Sequence, residues 1–497
     1  MSKQEVLASS SFGQRVAEEE GRELSAYFVE TDQWNRVFSG DVDVIYGPKG
    51  SGKSAIYSLI VDRQAELVAR GITVVPAENP RGTTAFSELV PDPPASENEF
   101  RALWKIYFLS LIGEVLGKSF ASDPSAKKVL SALEEAGLLP RGRSLPSVLR
   151  TVWDYVRRWI APEGIEAGVK INPVTGGPEG FTGKIILREP SASERDAGLT
   201  SADSLLLLAN DALEDAGHEL WLILDRLDVV FTDSPQLESN ALRALFRVYL
   251  DLIPANRISP KIFLRNDIWS RIMTSPFPEA SHITRTTEIS WTKNSLLNLM
   301  VRRLLHNEAL VNYYGIVPDQ VLSDTAKQVQ VFYRLFPPKV DAGPNKPSTL
   351  DWILSRTSDG TRQSAPREVI HLLSSARELQ LRFLEIGEAE PVGDLLLDRS
   401  ALKGSLPLIS KVRFEQTLCA EYPQFKDVLQ KLSKEKTRQT PKTLSKVWAI
   451  PEEEALKTAD RLSEIGFFER GGTKESPIYR VPFLYRSALS MIQGSAK

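Results

Sequence analysis

The chain has 497 residues, of which 42% are hydrophobic and 25% are charged, and these are the proportions of ordinary globular proteins. They exclude disorder, collagen and coiled coil as descriptions of the whole chain, and the length implies about three domains. With 61 Lys and Arg against 64 Asp and Glu, the net charge of −3 excludes a general attraction to nucleic acid or to an anionic membrane surface.

Cysteine usage and the N-terminal residues bear on the cellular compartment. Cys419 is the only cysteine of the sequence, so it cannot form an internal disulfide, and the first residues lack the apolar core of a signal peptide. No apolar stretch of the sequence approaches the roughly 20 residues that span a bilayer. We therefore expect a cytoplasmic protein with no membrane partner.

The first part of the chain is predicted to be a helical lead-in followed by an α/β unit. Residues 1–40 contain two predicted helices, and Asp41–Tyr46 alternates as a short strand. A predicted helix over Ser54–Arg70 ends at Gly71, and a strand over Ile72–Pro76 follows it. Strand, helix and strand in this order predict a βαβ unit whose two strands are parallel.

An insertion from about residue 80 to about residue 200 interrupts the α/β pattern. Ser96 and Glu99 form a predicted capping box before a helix that is rich in aromatic residues. A second aromatic helix ends near Ile160, and the Gly/Pro-rich segment 168–187 suggests a β-hairpin. We expect the aromatic residues to form a core rather than a ligand surface.

The strongest motif of the sequence fits the pattern GxxxxGK[ST] and lies between a predicted strand and a predicted helix. It consists of Gly47, Pro48, Lys49, Gly50, Ser51, Gly52, Lys53 and Ser54. The glycines let successive backbone N–H groups surround phosphates, and the helix N-terminus adds a positive dipole. Lys53 is expected to reach the β and γ phosphates, and the Ser54 hydroxyl to coordinate Mg²⁺. The motif predicts a nucleotide site.

A metal-binding carboxylate is expected at the end of a neighbouring strand. The apolar segment His218–Leu224 is typical of a strand buried in a parallel sheet, and Asp225 follows it as the candidate Walker B residue that holds Mg²⁺ through water. A capping aspartate at the start of the next segment is the alternative. The next residue is Arg226, where many ATPases have a catalytic glutamate. Asp228 is the next carboxylate able to orient the attacking water, and a purely structural role for Asp228 is the alternative.

Two further positions are candidates for sensing hydrolysis. Arg265 and Asn266 end the next buried strand, Lys261–Leu264, and either side chain can point at the γ-phosphate; a surface-loop role is the alternative. Arg367 follows Pro366 at the start of a predicted helix and can reach the nucleotide from a lid, with a solvated arginine as the alternative. We expect a sheet of at least four strands.

The C-terminal region resembles a winged-helix fold. Thr440–Arg486 predicts a helix, a turn, a second helix and a hairpin. Winged helices often bind DNA through the second helix, but here that helix begins with Glu452–Glu454, which phosphates would repel. A packing or partner-binding role is therefore weighed ahead of DNA binding.

The order of these motifs resembles the STAND and origin-recognition branches of the AAA+-related ATPases. In particular, GPKGSGKSAIYSL, LDRLDVVF, IFLRNDIW and APREVIHLL resemble segments of a bacterial family of P-loop ATPases. The resemblance implies that the nucleotide is ATP and that the chain forms a homo-oligomer in which an arginine acts on the γ-phosphate of a neighbouring subunit. Candidates for that arginine are Arg243, Arg247 and Arg285. No effector domain is evident, so the resemblance implies an effector or protein partner on another chain.

The predicted fold class is α/β: a P-loop NTPase with a parallel-sheet core and a large insertion, followed by a helical lid and a C-terminal winged helix. The predicted boundaries are 1–40 for the lead-in, 41–290 for the ATPase core, 291–404 for the lid and 405–497 for the winged helix.

The sequence is compatible with three functions. The first is an ATPase that slowly converts ATP and water to ADP and phosphate and acts as a nucleotide-controlled oligomeric switch, of the kind found in bacterial signalling and antiphage defence. The second is a DNA-binding initiator or loader that uses the winged helix. The third is a nucleotide-binding scaffold without hydrolysis, which Arg226 makes plausible.

Overall fold

The computed structural model describes residues 2–15, 17–79, 84–89, 93–160, 185–196, 198–227, 234–274 and 277–496. In these ranges the protein is an α/β structure with a parallel five-stranded sheet and many helices. No helix in this part of the chain is both long and apolar enough to cross a membrane.

The strands and helices are numbered in chain order. The strands are β1 (Val44–Gly47), β2 (Ile72–Pro76), β3 (Ile185–Ile186), β4 (Thr200–Ser201), β5 (Glu219–Leu224), β6 (Ile258–Arg265), β7 (Thr286–Glu288), β8 (Lys436–Gln439), β9 (Glu469–Gly472), β10 (Pro477–Arg480) and β11 (Ile492–Ser495). The helices up to β7 are α1 (Lys3–Ser9), α2 (Ala17–Glu20), α3 (Leu24–Tyr27), α4 (Asp32–Phe38), α5 (Lys53–Asp62), α6 (Gln64–Ala69), α7 (Glu97–Ser119), α8 (Pro124–Glu135), α9 (Leu145–Ile160), α10 (Ala192–Asp196), α11 (Ala202–Asp215), α12 (Pro235–Asp251) and α13 (Asn266–Thr274). The later helices are α14 (Lys293–Leu305), α15 (Glu308–Tyr314), α16 (Pro318–Leu322), α17 (Thr325–Leu335), α18 (Thr349–Thr357), α19 (Pro366–Glu385), α20 (Arg399–Val412), α21 (Cys419–Glu421), α22 (Lys426–Gln430), α23 (Pro441–Trp448), α24 (Glu452–Glu464) and α25 (Phe483–Arg486).

The chain divides into two compact units. Unit 1 comprises Met1–Thr31, Pro48–Gly52 and Ile289–Lys497, and unit 2 comprises Asp32–Gly47 and Lys53–Glu288. The finer division of unit 1 into a lid and a winged-helix domain stays a prediction.

Unit 2 is organised around the parallel sheet, whose strand order is β2-β5-β6-β1-β7. Strand β5 reads ELWLIL, and Leu220–Leu224 are at most 1% exposed, as the apolar pattern predicts for a central parallel strand. Strand β6 lies between β5 and β1, pairing Leu224 with Ile262 and Gly47 with Arg265. The sheet has five strands; β7 was not predicted because Thr286–Glu288 is short and polar.

The insertion differs from its prediction in number of helices. Its described residues contain four α-helices, α7, α8, α9 and the short α10, where the sequence suggested two. The Ser96 side chain accepts a hydrogen bond from the Glu99 N–H, as predicted, and the core role of the aromatic residues is confirmed because Trp104 and Tyr107 are at most 1% exposed. Most of the predicted hairpin over 168–187 lies outside the described residues; Ile185–Ile186 pairs in parallel with β4.

Two predicted helices are interrupted in the structure. The helix expected over residues 54–70 is two helices, α5 and α6, because the backbone leaves the helical region at Arg63 with φ −91° and ψ 19°. The first of the two helices predicted in residues 1–40, over Arg15–Tyr27, is divided into α2, a 3₁₀ turn over Gly21–Glu23, and α3. These breaks shorten the helices without changing the order of the elements.

The C-terminal part of unit 1 contains a four-stranded sheet with the order β11-β8-β10-β9. Strands β9 and β10 pair antiparallel, with Gly471 opposite Ile478, and the helices α23 and α24 precede them as the sequence predicts. Strand β8 was not predicted because Lys436–Gln439 lacks apolar alternation. Phe467, Phe468 and Tyr479 are fully buried in this region.

Candidate nucleotide-binding site

The carboxyl ends of the parallel strands in unit 2 form the edge at which ligands bind in α/β sheets. Strand β1 ends at Gly47, and its neighbours β6 and β7 end at Arg265 and Glu288. Strand β5 ends at Leu224, directly before Asp225. The site residues predicted from strand ends in unit 2 are therefore brought to one edge by the strand order.

The backbone of the phosphate loop adopts conformations that glycine permits. Gly50 has φ +81° and Gly52 has φ +102°, in the left-handed region that residues with a Cβ adopt only with strain. The Ser51 N–H donates a hydrogen bond of 3.2 Å to the Pro48 carbonyl. The Ser51 hydroxyl is buried and makes no hydrogen bond within the described residues, so it has a vacant hydrogen-bonding capacity inside the loop.

Lys53 is the first residue of α5, and its ammonium group folds back along the loop. Its Nζ donates a hydrogen bond of 2.7 Å to the carbonyl of Gly47 at the end of β1. The cation is thus held at the mouth of the loop, beside the helix N-terminus that favours an anion.

Ser54 and Asp225 meet at the same edge. The Ser54 hydroxyl donates a hydrogen bond of 2.9 Å to Asp225 Oδ2, and Asp225 is only 5% exposed. A hydroxyl and a carboxylate are the hard oxygen ligands that Mg²⁺ takes alongside water and phosphate oxygens, so this donor set fits the ion. The described residues contain no group of three or more His, Cys, Asp and Glu side chains arranged to hold a metal by themselves.

The residues at the end of β6 are held by neighbouring carboxylates. The Arg265 guanidinium forms an ion pair with Asp267, with Nε at 3.0 Å from Oδ1. The Asn266 amide donates a hydrogen bond of 2.8 Å to Glu288 at the end of β7. Asn266 Oδ1 is buried and has no hydrogen-bond donor among the described residues. Arg265 and Asn266 lie beside the end of β1, the strand that precedes the phosphate loop, because β6 is adjacent to β1.

Asp228, the carboxylate predicted to orient water, lies outside the described residues. Arg226 has φ +57°, so the chain turns sharply directly after Asp225. A buried carboxylate that sequence reasoning missed lies at the end of β2: Glu78 is fully buried. Its Oε1 accepts hydrogen bonds from the backbone N–H groups of Asn79 at 3.0 Å and Ala85 at 2.8 Å.

The environment of Glu78 raises its pKa above that of an exposed glutamate. Burial is the largest effect and raises the pKa of Glu78, while its hydrogen bonds and the charge of Arg226 act in the opposite direction. Burial also raises the pKa of Tyr57, and the charges of Asp225 and Glu78 add to that rise. Both carboxylates therefore lie within electrostatic reach of one tyrosine hydroxyl.

The loop residues 48–52 contact side chains from the predicted lid and C-terminal region within unit 1. The Lys49 ammonium forms an ion pair with Glu421, and the Trp291 indole N–H donates a hydrogen bond of 2.8 Å to the Ser51 carbonyl. A Cβ added at Gly50 would lie 2.9 Å from Cβ of Arg367, so the start of α19 lies against the loop. Sequence reasoning pointed to Arg367 but missed Glu421 and Trp291.

A buried ion pair holds the start of α19. The Arg413 guanidinium donates a hydrogen bond of 2.9 Å to Glu368 Oε1 and a longer one of 3.4 Å to the Tyr485 hydroxyl. Arg413 is 9% and Glu368 is 4% exposed. Because Glu368 follows Arg367 directly, this pair fixes the part of the helix that faces the phosphate loop.

The three arginines considered for action on a neighbouring subunit are engaged within the chain. Arg247 pairs with Glu97 at 2.7 Å, and Arg243 lies 3.6 Å from the same carboxylate. Arg285 pairs with Asp43 at 2.9 Å, before the start of β1 and so at the opposite edge of the sheet from the phosphate loop. The identity of such an arginine stays a prediction.

Comparison with known proteins does not assign the chain to a family. No family model matches the chain, and no curated protein matches it in sequence. The chain is similar to a solved structure of the ORC2 protein from Aeropyrum pernix in ADPNP–ADP complexes, at 14% identity, 91% coverage of this chain, 89% coverage of that chain and a TM-score of 0.36. It is also similar to the ADP form of that protein, at 13% identity and a TM-score of 0.30, with 93% of this chain and 89% of that chain covered. At TM-scores this low the likeness carries no argument about the function of this chain.

Proposed function

We propose that this protein is a P-loop ATPase that binds Mg-ATP at the carboxyl edge of the unit 2 sheet. The observation that carries the proposal is the 2.9 Å hydrogen bond between Ser54 and Asp225, which joins the last residue of the GxxxxGK[ST] motif to the carboxylate after β5. A fortuitous match to the motif would not be expected to meet a buried acidic side chain at a strand end.

Each residue of the site has a role in this proposal. Lys53 would neutralise the β and γ phosphates, and the loop N–H groups with the Ser51 hydroxyl would hold the phosphate oxygens. Ser54 would bind Mg²⁺ directly and Asp225 through water; when bound, the ion neutralises phosphate charge. Asn266, Arg265 and Arg367 are proposed to respond to the γ-phosphate. That the nucleotide is ATP rather than GTP rests on the sequence resemblance.

Nucleotide binding is proposed to act on unit 1 through residues 48–52. Phosphates entering the loop would compete with Glu421 for Lys49 and would meet Arg367 beside Gly50. These contacts support a nucleotide-controlled switch that changes an oligomeric or partner-bound state. A role for that switch in phage defence or signalling rests on the sequence resemblance alone.

The deciding experiment measures nucleotide binding and mass together. Titration calorimetry with ADP and a non-hydrolysable ATP analogue should give binding for the wild-type protein and none for Lys53→Ala. Lys127→Ala, at an exposed position of α8, is the matched control and should bind as the wild type does. Light scattering should then show a rise in mass with the ATP analogue alone. Absence of nucleotide binding in the wild type would reject the ATPase proposal, and binding without a change of mass would reject the oligomeric switch.

A DNA-binding initiator or loader is the second candidate, and exposed basic residues favour it. The elements β8, α23, α24, β9 and β10 follow one another in the order of a winged helix. Arg438, Lys442 and Lys446 on β8 and α23 are exposed, but so is the acidic start of α24 at Glu452–Glu454. Binding of duplex DNA that falls steeply with salt would support this candidate.

The basic residues offer a matched test of DNA binding. Lys442→Ala with Lys446→Ala should weaken DNA binding and reduce its salt dependence if phosphates contact α23. Lys457→Ala is the control, because Lys457 lies on α24 and already pairs with Glu453 at 2.6 Å. Equal affinities for the two variants and the wild type would exclude α23 as the contact.

A further inference from the structure

Glu78 lies beside Asp225 at the proposed nucleotide site. Strand β2 pairs in parallel with β5, with Pro76 opposite Ile223, and the Ala77 N–H continues the ladder with a hydrogen bond of 2.9 Å to the Ile223 carbonyl. Glu78 and Asp225 each lie two residues beyond that pair. Adjacent strands are about 4.8 Å apart, so the register places the two carboxyl-bearing residues side by side.

The Glu78 carboxylate has one anchored oxygen and one vacant oxygen. Oε1 accepts hydrogen bonds from the backbone N–H groups of Asn79 and Ala85, and these two bonds fix the plane of the carboxylate. Oε2 is buried and has no hydrogen bond of standard geometry within the described residues, while the Thr84 side chain also acts on the carboxylate and lowers its pKa. An unsatisfied buried carboxylate oxygen costs free energy unless something fills its hydrogen-bonding capacity, so it needs an explanation.

Helix α5 connects Glu78 to the phosphate loop. Tyr57 lies one helical turn after Ser54, and its hydroxyl donates a hydrogen bond of 2.9 Å to the Glu78 carbonyl. The Tyr107 hydroxyl donates a hydrogen bond of 2.8 Å to the carbonyl of Ala77, the residue before Glu78. Tyr57 thus ties the backbone that carries Glu78 to α5, which begins with Lys53 and Ser54, and Tyr107 ties it to α7.

The position directly after Asp225 does not supply a carboxylate. Arg226 stands there, and its charge acts on Glu78. Asp228 and Glu78 are therefore the two candidates for a proton acceptor near Asp225, and Glu78 is a fully buried carboxylate at the end of the strand next to Asp225.

We propose that Glu78 is the general base of ATP hydrolysis, with Oε2 accepting a proton from the attacking water; the inference rests on the ATPase proposed above. As the water oxygen bonds to the γ-phosphorus, its proton goes to Oε2, and the bond from the γ-phosphorus to the bridging oxygen breaks. The electron pair of that bond leaves with ADP. The proton then passes from Glu78 to the inorganic phosphate, which restores the carboxylate.

The test compares Glu78→Gln with Asp228→Asn in single-turnover hydrolysis of bound Mg-ATP. Glutamine keeps an oxygen for the two backbone N–H groups but cannot accept the proton. We expect the rate of Glu78→Gln to fall about 100-fold or more, with the affinity for a non-hydrolysable ATP analogue within about threefold of the wild type. Asp228→Asn should hydrolyse within about fivefold of the wild type. Glu219→Gln is the control, because Glu219 begins β5 at the opposite edge of the sheet.

Hydrolysis by Glu78→Gln within about threefold of the wild type would overturn the inference and leave the ATPase proposal standing. Failure of the wild type to bind ATP would overturn the ATPase proposal itself, and wild-type binding without hydrolysis would overturn both the hydrolysis in that proposal and the inference. If Glu78→Gln unfolds, Glu78→Ala with added formate gives the second test. Formate should restore turnover while formamide should not, and folded Glu78→Ala that formate does not rescue contradicts a role as base.

Discussion

The Ser54 hydroxyl and the Asp225 carboxylate are hydrogen-bonded at 2.9 Å although 171 residues separate them in the chain. Strand β5 brings Asp225 to the edge at which α5 begins, even though β6 lies between β5 and the P-loop strand. The large insertion between the two residues leaves this meeting point intact.

The contact between Ser54 and Asp225 predicts a variant that loses metal dependence. In Asp225→Asn the amide cannot hold Mg²⁺-bound water as a carboxylate does, so hydrolysis should fall about 100-fold or more. Affinity for ATP measured without Mg²⁺ should not fall, because the phosphate loop is unchanged. Calorimetry with and without Mg²⁺ checks both statements. Asp211→Asn, exposed on α11, is the control, and a metal-dependent gain in affinity that survives in Asp225→Asn would contradict the metal role.

The ion pair between Lys49 and Glu421 predicts a variant that binds nucleotide more tightly. Glu421→Gln removes a negative charge beside the phosphate loop and frees Lys49 for phosphate, so the affinity for ATP should rise about two- to fivefold. The gain should shrink at high salt because the pair is partly exposed. Glu415→Gln, on the exposed side of the preceding π-helical turn, is the control. Unchanged affinity would mean that the pair does not compete with nucleotide.

The buried pair of Glu368 and Arg413 predicts a large and non-additive loss of stability. Arg413→Met leaves Glu368 as an unpaired buried carboxylate, and the free energy of unfolding of the cooperative transition that includes α19 should fall by about 3–5 kcal/mol. Adding Glu368→Gln should recover part of the loss, because the second change removes the stranded charge. Urea denaturation of the single and double variants measures both effects. Lys411→Met, on the exposed face of α20, is the control, and additive losses would contradict direct coupling.

Burial of Glu78 predicts a pH-dependent effect on stability. Because burial raises the pKa of Glu78 in the folded state, the group favours folding below its unfolded pKa and loses this contribution as pH rises through the folded pKa. Glutamine stays neutral throughout. The Tm of Glu78→Gln relative to the wild type should therefore be higher at about pH 7.5 than at about pH 4.5. Calorimetric scans across this range check the sign, and a difference that moves the other way would show that Glu78 is stabilised as a charged group.

Part of the site was predictable because its signals are local. Lys53 and Ser54 lie in a contiguous motif between a strand and a helix, and Asp225 ends an apolar run that is typical of a buried parallel strand. Local patterns of this kind fix both the element and the edge of the sheet at which it ends. They do not assign chemistry to each residue, and the roles of Arg265 and Asn266 stay predictions.

The remaining site residues could not be predicted, because their contacts join residues far apart in the chain and produce no recognisable sequence pattern. Glu78 is a single acid after a short strand, and only the pairing of β2 with β5 shows that it stands beside Asp225. Glu421 pairs with Lys49 through the folding of unit 1, and nothing near Glu421 in the chain marks it. Helix α8 was also missed by the prediction, although its start carries a local capping pattern. The Asp123 side chain accepts a hydrogen bond of 2.8 Å from the Ala126 N–H, and Pro124 is the first residue of the helix.

The assignment of residues 48–52 to unit 1 affects how the protein can be dissected. A fragment ending at residue 288 would retain the complete GxxxxGK[ST] motif and the Ser54–Asp225 contact. It would lack Trp291, Arg367 and Glu421, which touch the loop in the whole chain. The nucleotide affinity of that fragment would therefore be that of a phosphate loop without these three contacts. A measurement on the fragment could not show which of the two units is responsible for nucleotide binding in the whole protein.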